Sequence, residues 1–345
     1  MSLLDSLPEA QGQRGLREDK EPREVVCERP ETPAVRKTPT ATEARVRAGR
    51  RFVEVSRPTK VLFPDDGITK LDLAEYYAAV GGVMLPHVRG RPVAMERYPD
   101  GIRGERFFHK EVGASVPQWI RTATVRKEKG QLTQIICESV ATLVYLADQA
   151  SITPHVWLSR IERPDHPDQL IFDLDPPEGR FAEARRAALA LRELLADLKL
   201  PSVAKTTGSK GIHVMVPLDR RADFDAARGF ARGVARLLAA RDPESITVEQ
   251  RKEKRQGRLF VDIMRNAYAQ HAVAPYGVRA RVGAPVATPL HWSEVEDGGL
   301  GPDRFTIRSV PDRVMRDGDP WGALRGRSLR EPGRLLEEML SRELA

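Results

Sequence analysis

An apolar run that ends abruptly at two prolines is the feature that most constrains the fold of this chain. The run reads LIFDLDPP, from Leu170 to Pro177. Its apolar residues predict a buried β-strand, and the prolines end it because proline lacks the N–H that a strand ladder needs. Side chains two residues apart on a strand share a face, so Asp173 and Asp175 are expected to project together from the strand's C-terminal end.

Two adjacent carboxylates require a cation or a shared proton between them, because like charges held side by side repel. Oxygen-only ligands suit Mg²⁺ or Mn²⁺ better than zinc, so metal-assisted phosphoryl chemistry is the leading interpretation. A strand end with two solvated acids is the alternative. Nucleotidyl transfer commonly uses two metal ions about 3.5–4 Å apart, so a third acid is expected on a neighbouring strand. Asp262, in the alternating run RLFVDI, is the candidate, although it could simply pair with Arg265.

The segment KTTGSKGIH, from Lys205 to His213, contains donors for a polyphosphate. Its hydroxyls, its second lysine and the backbone N–H groups beside two glycines can surround phosphate oxygens. The spacing is not that of a Walker A loop, and a glycine- and serine-rich hairpin alone is more often only a turn. His213 is expected to face the same cleft, which His155 could reach from just upstream of the acidic strand. Arginines, which bind phosphate through paired donors, cluster around the third acid: Arg255, Arg265, Arg279 and Arg281.

Composition describes a globular chain that suits a polyanionic partner. Of its 345 residues 41% are hydrophobic, and the formal net charge is +7. Such a surplus fits nucleic acid, although it can equally reflect general solubility. No apolar stretch approaches the roughly 20 residues that span a bilayer, and the N-terminus has no signal-peptide pattern. Cys27 and Cys137 are too few and too far apart for a disulfide framework or a metal cluster, so a reducing cytosol is expected.

Strands alternate with helices along the sequence, which indicates an α/β or α+β domain. Residues 1 to about 50 are rich in charge and proline and are expected to be disordered. After Lys60 we expect a short strand, a turn and a helix that starts at Thr69, and the tail from about Pro311 is expected to be only partly helical. Further helices are expected over about Leu132–Leu146, Phe181–Leu198 and Phe224–Ala240. Further strands are expected over Arg51–Val55, Ser202–Lys205, Ile212–Val216, Thr247–Val248 and Arg258–Ile263.

Three segments together resemble the motifs of a known family: LIFDLDPP, TTGSKGIHVMVPL and RLFVDIMRN. They are similar to the motifs of the archaeo-eukaryotic primase superfamily, and more narrowly to the polymerase domain of bacterial ligase D, which repairs double-strand breaks by non-homologous end joining. The similarity extends from about Val53 to Trp321. It implies an α+β fold, with a primase-type catalytic core of RRM-like mixed sheet and flanking helices plus an N-terminal α/β subdomain. Within a catalytic domain at 51–345, it implies a substrate- and 5′-phosphate-binding part at 51–150, a metal- and nucleotide-binding core at 151–320 and a tail at 321–345.

The resemblance also implies roles for particular residues. Two ions of Mn²⁺, or of Mg²⁺, would be held by Asp173, Asp175 and Asp262. The incoming NTP or dNTP, with ribonucleotides preferred, would be held by Thr207, Ser209, Lys210 and His213, with His155 near its sugar. The triphosphate would be bound, or the acids ordered, by Arg255, Arg265 and Arg279. The far-side 5′-phosphate of gapped or broken DNA would be bound by Lys60 and Lys70, and the template would stack on Phe107 and Phe108, a contact worth ~1–3 kcal/mol per base.

The sequence departs from the family pattern in three ways. Thr207 stands where serine is more usual but keeps the hydroxyl. Glu96 stands where basic residues are common, which leaves Arg97 for any phosphate contact. The sequence contains no Lys-x-Asp-Gly ligase motif and no histidine-rich nuclease segment. We therefore expect a stand-alone polymerase that works with a separate DNA ligase and Ku. A monomer is the default expectation for its oligomeric state, and the expected location is the cytoplasm, in association with the nucleoid.

Three alternatives stand beside end joining. A primase-polymerase that makes primers or acts in excision repair would share the same active site. A haloacid-dehalogenase-type phosphatase also follows an apolar strand with D-x-D, but Pro176 and Pro177 occupy positions where that family has other residues. A non-catalytic nucleic-acid-binding module is the third alternative, and the presence of all three carboxylates argues against it.

Overall fold

The computed structural model describes residues 43–113, 115–126 and 130–344, so the disorder expected for residues 1–42 lies outside the described residues. The strands are β1 (Glu43–Ala48), β2 (Arg51–Ser56), β3 (Val61–Phe63), β4 (Ile68–Thr69), β5 (Arg91–Arg97), β6 (Phe107–His109), β7 (Thr122–Arg126), β8 (Gln131–Cys137), β9 (Ser151–Trp157), β10 (Gln169–Asp175), β11 (Val203–Thr206), β12 (Ile212–Pro217), β13 (Ile246–Thr247), β14 (Leu259–Asp262), β15 (His271–Val273) and β16 (Pro289–Leu290). The helices are α1 (Lys70–Val88), α2 (Val140–Asp148), α3 (Phe181–Asp197), α4 (Phe224–Arg241), α5 (Trp292–Glu296), α6 (Val310–Asp317) and α7 (Arg330–Glu343), with a 3₁₀ turn at Lys252–Lys254.

The first described element is a hairpin that begins earlier than expected. Strands β1 and β2 pair antiparallel, with Glu43 opposite Ser56. Val46 and Val53 are opposite each other and buried, while the charged residues between them are exposed. The strand expected from Arg51 is confirmed, but the disorder boundary near residue 50 is wrong, because β1 starts at Glu43. Its period-two pattern becomes stable only by pairing with β2 and packing near α1 and α2.

A mixed six-stranded sheet, here called the central sheet, carries the acidic strand in its interior. Its order is β13–β14–β10–β12–β11–β16, with β13 parallel to β14 and the other pairs antiparallel. Phe172 and Leu174 of β10 are fully buried in one core with α3 and α4. Because alternate strand residues face opposite ways, Asp173 and Asp175 lie on the other face. The strands and helices expected in this region are confirmed to within one or two residues at their ends.

Five strands in the order β15–β9–β5–β8–β7, with β6 paired to β5, form the second sheet. Helices α1 and α2 bury one face of it, and Tyr77 of α1 donates its hydroxyl to the Ile152 carbonyl at 2.7 Å. Helix α1 begins as expected at Thr69, whose side chain and backbone exchange hydrogen bonds with Asp72 in a capping box.

One expected helix is wrong in its first half. The stretch Leu132–Leu146 contains nearly all of β8 and most of α2, not one continuous helix. Its apolar residues fit helix spacing, but Ile135 and Ile136 are β-branched, and β8 is paired on both sides by β5 and β7. Ser139 then caps α2 by accepting from the backbone N–H of Thr142. This segment is a strand because β5 and β7 pair with it, and the spacing of its apolar residues does not reveal those partners.

A small apolar cluster joins the two sheets. Ile171 and Met215 are opposite each other on the face of the central sheet that also carries Asp173. They pack with Leu158 and Ala272 beside the second sheet, and with Trp321 from the C-terminal region. The central sheet is therefore packed against the second sheet through this cluster. In the tail, helix α7 packs against α4, and no helix among the described residues is long and apolar enough to cross a bilayer.

Candidate active site

The three carboxylates singled out in the sequence lie on two adjacent strands of the central sheet. Asp173 is directly opposite Asp262 in the antiparallel pairing of β10 with β14, which places their Cα atoms about 4.5–5.5 Å apart. Asp175 follows two residues later on β10 and shares their face. The structure thus brings these residues together at one strand end. They are called the acidic cluster below.

The same row of the sheet continues through two more side chains. His213 is opposite Asp173 on β12, and its Nε2 lies 3.3 Å from Asp173 Oδ2. Lys205 is opposite His213 on β11 and is 3% exposed. Among the described residues, Lys205 Nζ, His213 Nδ1 and Asp173 Oδ1 are enclosed and have no hydrogen-bond partner. Buried polar atoms are normally paired, so three unpaired ones in a row indicate a place that a polar ligand completes.

Sequence reasoning did not select Lys205. A signal was present, since the two strands around the Thr207–Gly211 turn are adjacent and antiparallel, which sets Lys205 opposite His213. A lysine inside a short strand is ordinarily exposed, and only the register shows that this one faces the acidic cluster. Burial, followed by the charge of Arg279, lowers the pKa of Lys205 to about 7, so its ammonium is easily discharged unless an anion binds nearby.

The turn between β11 and β12 is organised by a threonine hydroxyl. Thr207 Oγ1 accepts hydrogen bonds from the backbone N–H groups of Ser209 at 3.3 Å and Gly211 at 3.2 Å. Lys210 is half exposed and reaches back to Asp175, with 3.4 Å between Nζ and Oδ1. The turn therefore sets a half-exposed cation and backbone donors beside the acidic cluster, which is the arrangement expected for binding phosphate.

The three predicted arginines play different structural parts. Arg279 is buried, and its Nη1 donates to the Thr207 carbonyl at 3.0 Å. Arg265 is exposed and acts on the acidic cluster through its charge. Arg255 lies over the Phe260 ring at 3.9 Å and donates to two backbone carbonyls. Because Phe260 is on the strand that carries Asp262, Arg255 braces that strand.

His155 approaches from the second sheet. It lies on β9, and its Nε2 is 3.2 Å from Oε2 of Glu96 on β5. Arg279 interacts by charge with both Glu96 and Asp173. The same guanidinium therefore connects the histidine's surroundings with the acidic cluster. Glu96 was noticed in the sequence only as a departure from the family pattern, and its contact with His155 is visible only in the structure.

The two adjacent phenylalanines do not share a face. Phe108 packs edge-on against His155 at 5.5 Å and His271 at 6.0 Å between ring centroids. Phe107 contacts His109 instead, at 6.2 Å. Neighbouring residues on a strand point to opposite sides, so one phenylalanine faces the histidines while the other faces away from them.

The two lysines predicted to bind a 5′-phosphate differ in availability. Lys60 pairs with Asp100 at 2.8 Å and is about one-quarter exposed. Lys70 is buried, and its Nζ donates to the Asp148 carboxylate, the Asp148 carbonyl and the Ser56 hydroxyl, each at 2.9 Å. The chain between them is short and hydrogen-bonded, with Lys70 N–H donating to the Lys60 carbonyl. A phosphate would reach Lys60 far more readily than Lys70.

The pKa values of the two carboxylates on β10 are shifted in opposite directions. Burial by itself would raise the pKa of Asp173, but His213 and Arg265 bring that pKa below its ordinary value. Burial, and then repulsion from Asp173, raises the pKa of Asp175 to about 7, against the opposing charge of Lys210. Burial also lowers the pKa of His213 to about 4, so this imidazole is neutral at pH 7 and donates from Nε2.

Comparison with known proteins identifies the family. The sequence model described as LigD, primase-polymerase domain, matches residues 69–321. The chain belongs to the LigD primase-polymerase family. This LigD primase-polymerase chain is 37% identical over 281 residues to the Multifunctional non-homologous end joining DNA repair protein LigD of Mycobacterium tuberculosis, covering 79% of this chain and 37% of that protein. It is 35% identical over 319 residues to the Multifunctional non-homologous end joining protein LigD of Pseudomonas aeruginosa, covering 90% of this chain and 38% of that protein.

A solved structure supports the same assignment. The Polymerase Domain from Mycobacterium tuberculosis Ligase D in complex with DNA matches with a TM-score of 0.75 at 36% identity, covering 78% of this chain and 96% of that one. The LigD primase-polymerase chain spans well under half the length of the two curated relatives. The resemblance inferred from the motifs, the α+β primase-type fold and the nucleotidyltransferase class are confirmed, which removes the phosphatase alternative.

The donor chemistry of this LigD primase-polymerase site fits a divalent cation, since the acidic cluster offers only oxygen and one enclosed oxygen, Asp173 Oδ1, is unpaired among the described residues. Yet over residues 43–113, 115–126 and 130–344 no three acidic, histidine or cysteine side chains converge as a ready-made metal site. Each acid is turned to another partner: Asp173 to His213, Asp175 to Lys210, and Asp262 to the backbone N–H of Met264 at 2.7 Å. The strands are in place, and a bound cation would replace these side-chain contacts.

Proposed function

We propose that this chain is a template-dependent polymerase that adds nucleotides, ribonucleotides in preference to deoxyribonucleotides, at gaps and broken ends of DNA. The observation that carries the proposal is the row Asp262–Asp173–His213–Lys205 beside the Thr207–Gly211 turn, in a member of the LigD primase-polymerase family. The names of the relatives, which refer to non-homologous end joining, support the pathway, and the DNA in the matching polymerase domain supports the substrate.

Two divalent ions, Mn²⁺ in preference to Mg²⁺, are part of the proposal, with Asp173, Asp175 and Asp262 as their ligands. Such ions, when bound, would activate the attacking hydroxyl and stabilise charge on the leaving group. Before a metal ion binds, Lys210 occupies the place beside Asp175, since its Nζ lies 3.4 Å from Oδ1 and the side chain is half exposed. When Asp175 binds a cation, Lys210 would be released to contact the triphosphate.

The nucleotide would lie between the two sheets. Thr207 holds the turn in shape, so that the N–H groups and the hydroxyl around Ser209 can meet phosphate oxygens. Arg279 is buried against that turn and carries a charge that the triphosphate would neutralise. His213 would donate to phosphate or hold Asp173, and His155 would contact the sugar from the second sheet. Arg265 adds positive charge, while Arg255 holds the strand of Asp262 in place.

The DNA would extend from the acidic cluster toward the N-terminal half. Lys60 is the more accessible of the two lysines proposed to bind the 5′-phosphate, and Lys70 would act by supporting it. Phe107 and Phe108 are proposed to stack on the template at its duplex edge. The division into parts at 51–150, 151–320 and 321–345, the monomeric state and the partnership with a separate ligase and Ku belong to the same proposal.

Single-nucleotide extension of a primer tests the function. We expect the wild-type chain with Mn²⁺ to fill a gap bearing a 5′-phosphate and to use rNTPs better than dNTPs. Asp173→Asn and Asp262→Asn should each abolish addition while leaving DNA affinity, measured by fluorescence anisotropy, within about twofold, because carboxylates do not attract the phosphate backbone. The exposed Glu244→Gln is the control and should behave as wild type. Extension by Asp173→Asn at wild-type rate would contradict the assignment. Synthesis on single-stranded template without a primer would instead favour the primer-making alternative.

A further inference from the structure

Glu96 is a buried acid that the proposed mechanism does not use. It lies on β5, in register with Phe108 on β6 and Thr153 on β9, and is 7% exposed. Its carboxylate has three neighbours that can donate: the Tyr98 hydroxyl at 2.9 Å, Arg106 Nη1 at 3.2 Å and His155 Nε2 at 3.2 Å. Burying an unpaired charge is costly, so these three contacts are what allow the Glu96 carboxylate to be buried in the folded chain.

The ionisation state of Glu96 determines which atom carries the proton on the neighbouring histidine. Burial alone would raise the pKa of Glu96, but His155, Arg279 and Tyr98 together lower it to about 2. At neutral pH the carboxylate is ionised and can only accept hydrogen bonds. The contact with His155 therefore requires a proton on Nε2.

His155 then presents an acceptor on its other nitrogen. Burial lowers the pKa of His155 below its ordinary value, although the nearby Glu96 acts in the opposite direction. The ring is therefore neutral at pH 7. A neutral imidazole with its proton on Nε2 has a lone pair on Nδ1. Within the described ranges Nδ1 has no hydrogen-bond partner and is not fully enclosed, and the His155 side chain is 18% exposed, so Nδ1 is accessible to a ligand. The Phe108 ring, packed edge-on at 5.5 Å, restricts the rotation of the imidazole.

We propose that Glu96 is a positioning residue that holds His155 as a hydrogen-bond acceptor for a sugar hydroxyl of the incoming nucleotide. The inference deepens the proposed polymerase function and rests on it for the identity of the ligand. A hydroxyl can donate to the Nδ1 lone pair, whereas a sugar that lacks the hydroxyl leaves that nitrogen unpaired when water is excluded. A cation at position 96 would have the opposite effect, since it would donate to Nε2 and force the proton onto Nδ1. Glu96 thereby sets sugar selectivity without touching the sugar.

The tautomer can be measured without nucleotide, metal or activity. Long-range ¹H–¹⁵N NMR of the full chain distinguishes a protonated Nε2 from a protonated Nδ1 in each neutral histidine, and His155→Gln identifies the signal by its loss. We expect His155 to be the Nε2-protonated form in the wild-type protein at pH 7. In Glu96→Gln, whose amide can accept from or donate to Nε2, both tautomers should be populated. An Nδ1-protonated wild-type ring would overturn the inference, and this measurement does not depend on the folding of any Glu96 variant.

Nucleotide binding tests the consequence. Affinities of a ribonucleoside triphosphate and its 2′-deoxy and 3′-deoxy analogues would be measured by calorimetry with Mn²⁺ and without primer, so that no turnover is needed. We expect the wild-type chain to bind the ribonucleotide about threefold to tenfold more tightly than the analogue that lacks the recognised hydroxyl, as for one net hydrogen bond. In Glu96→Gln the two affinities should become nearly equal. Glu105→Gln changes an exposed acid between β5 and β6 and should keep the wild-type ratio of affinities. An unchanged ratio in folded Glu96→Gln would overturn the inference. Failure of primer extension in the wild type, with the tautomer and the ratio as expected, would count against the polymerase function alone.

Discussion

Replacing Asp175 by asparagine should make the metal-free protein more stable while removing its activity. In the folded chain, burial and the neighbouring Asp173 raise the pKa of Asp175 from 3.8 to about 7. A difference of that size between the folded and unfolded chains corresponds to about 4 kcal/mol of lost stability once the group is ionised. The side chain is 17% exposed and Lys210 offsets part of the repulsion, so we expect a gain of about 2–4 kcal/mol from Asp175→Asn.

The sign of the pH dependence follows from the direction of the shift. Because the folded-state pKa lies above the unfolded one, the loss of stability is absent below about pH 4, grows between about pH 4 and pH 7, and is complete above that. The difference between Asp175→Asn and wild type should therefore be large at about pH 8 and close to zero at about pH 4. Urea unfolding in EDTA at both pH values measures it, with Glu244→Gln as an exposed control that should change stability at neither pH.

Divalent metal should reverse the order of stability. Mn²⁺ that binds the folded wild type stabilises it by mass action, reaching about 4.1 kcal/mol at a thousandfold excess over the dissociation constant. Asp175→Asn, with one ligand missing, should gain much less. A variant that is less stable than wild type in EDTA at about pH 8 would refute the reasoning, because it would show that the carboxylate is favourable in the folded chain without metal.

Other substitutions test the turn, the two lysines and the tail. Gly211→Ala should destabilise by roughly 2–4 kcal/mol in urea unfolding, since a Cβ would overlap a backbone carbonyl of β10. Gly229→Ala in α4, where an added Cβ meets nothing within 4 Å, should stabilise by about 1 kcal/mol. Lys70→Ala should lower stability by about 3–5 kcal/mol, because it leaves the largely buried Asp148 carboxylate without its cation. Lys60→Ala should leave stability unchanged and reduce gap filling only when a 5′-phosphate is present. Equal losses with and without that phosphate would contradict the role of Lys60. Leu336→Ala should cost about 2–5 kcal/mol in the same assay, because the side chain is fully buried between α7 and α4, and an unchanged unfolding midpoint would show that the tail does not belong to the core.

Features that depend on neighbours along the chain could be read from the sequence. The acidic strand was recognisable because proline ends a strand and because residues two apart share a face. Asp262 could be chosen as the third acid because its own strand alternates, and Thr69 could be recognised as a helix start from capping chemistry alone. The three motifs likewise indicate the family, because each is a short continuous segment.

Features that depend on pairing between distant segments were decided by the tertiary structure. The stretch around Ile135 became a strand because β5 and β7 are on either side of it. Lys205 faces the acidic cluster because three separate strand pairings align it with His213, Asp173 and Asp262. Glu96 reaches His155 because the second sheet brings β5 beside β9. Local sequence sets which way a side chain points along its own strand, but the register between strands, and the burial that shifts a pKa, exist only after the sheets have formed.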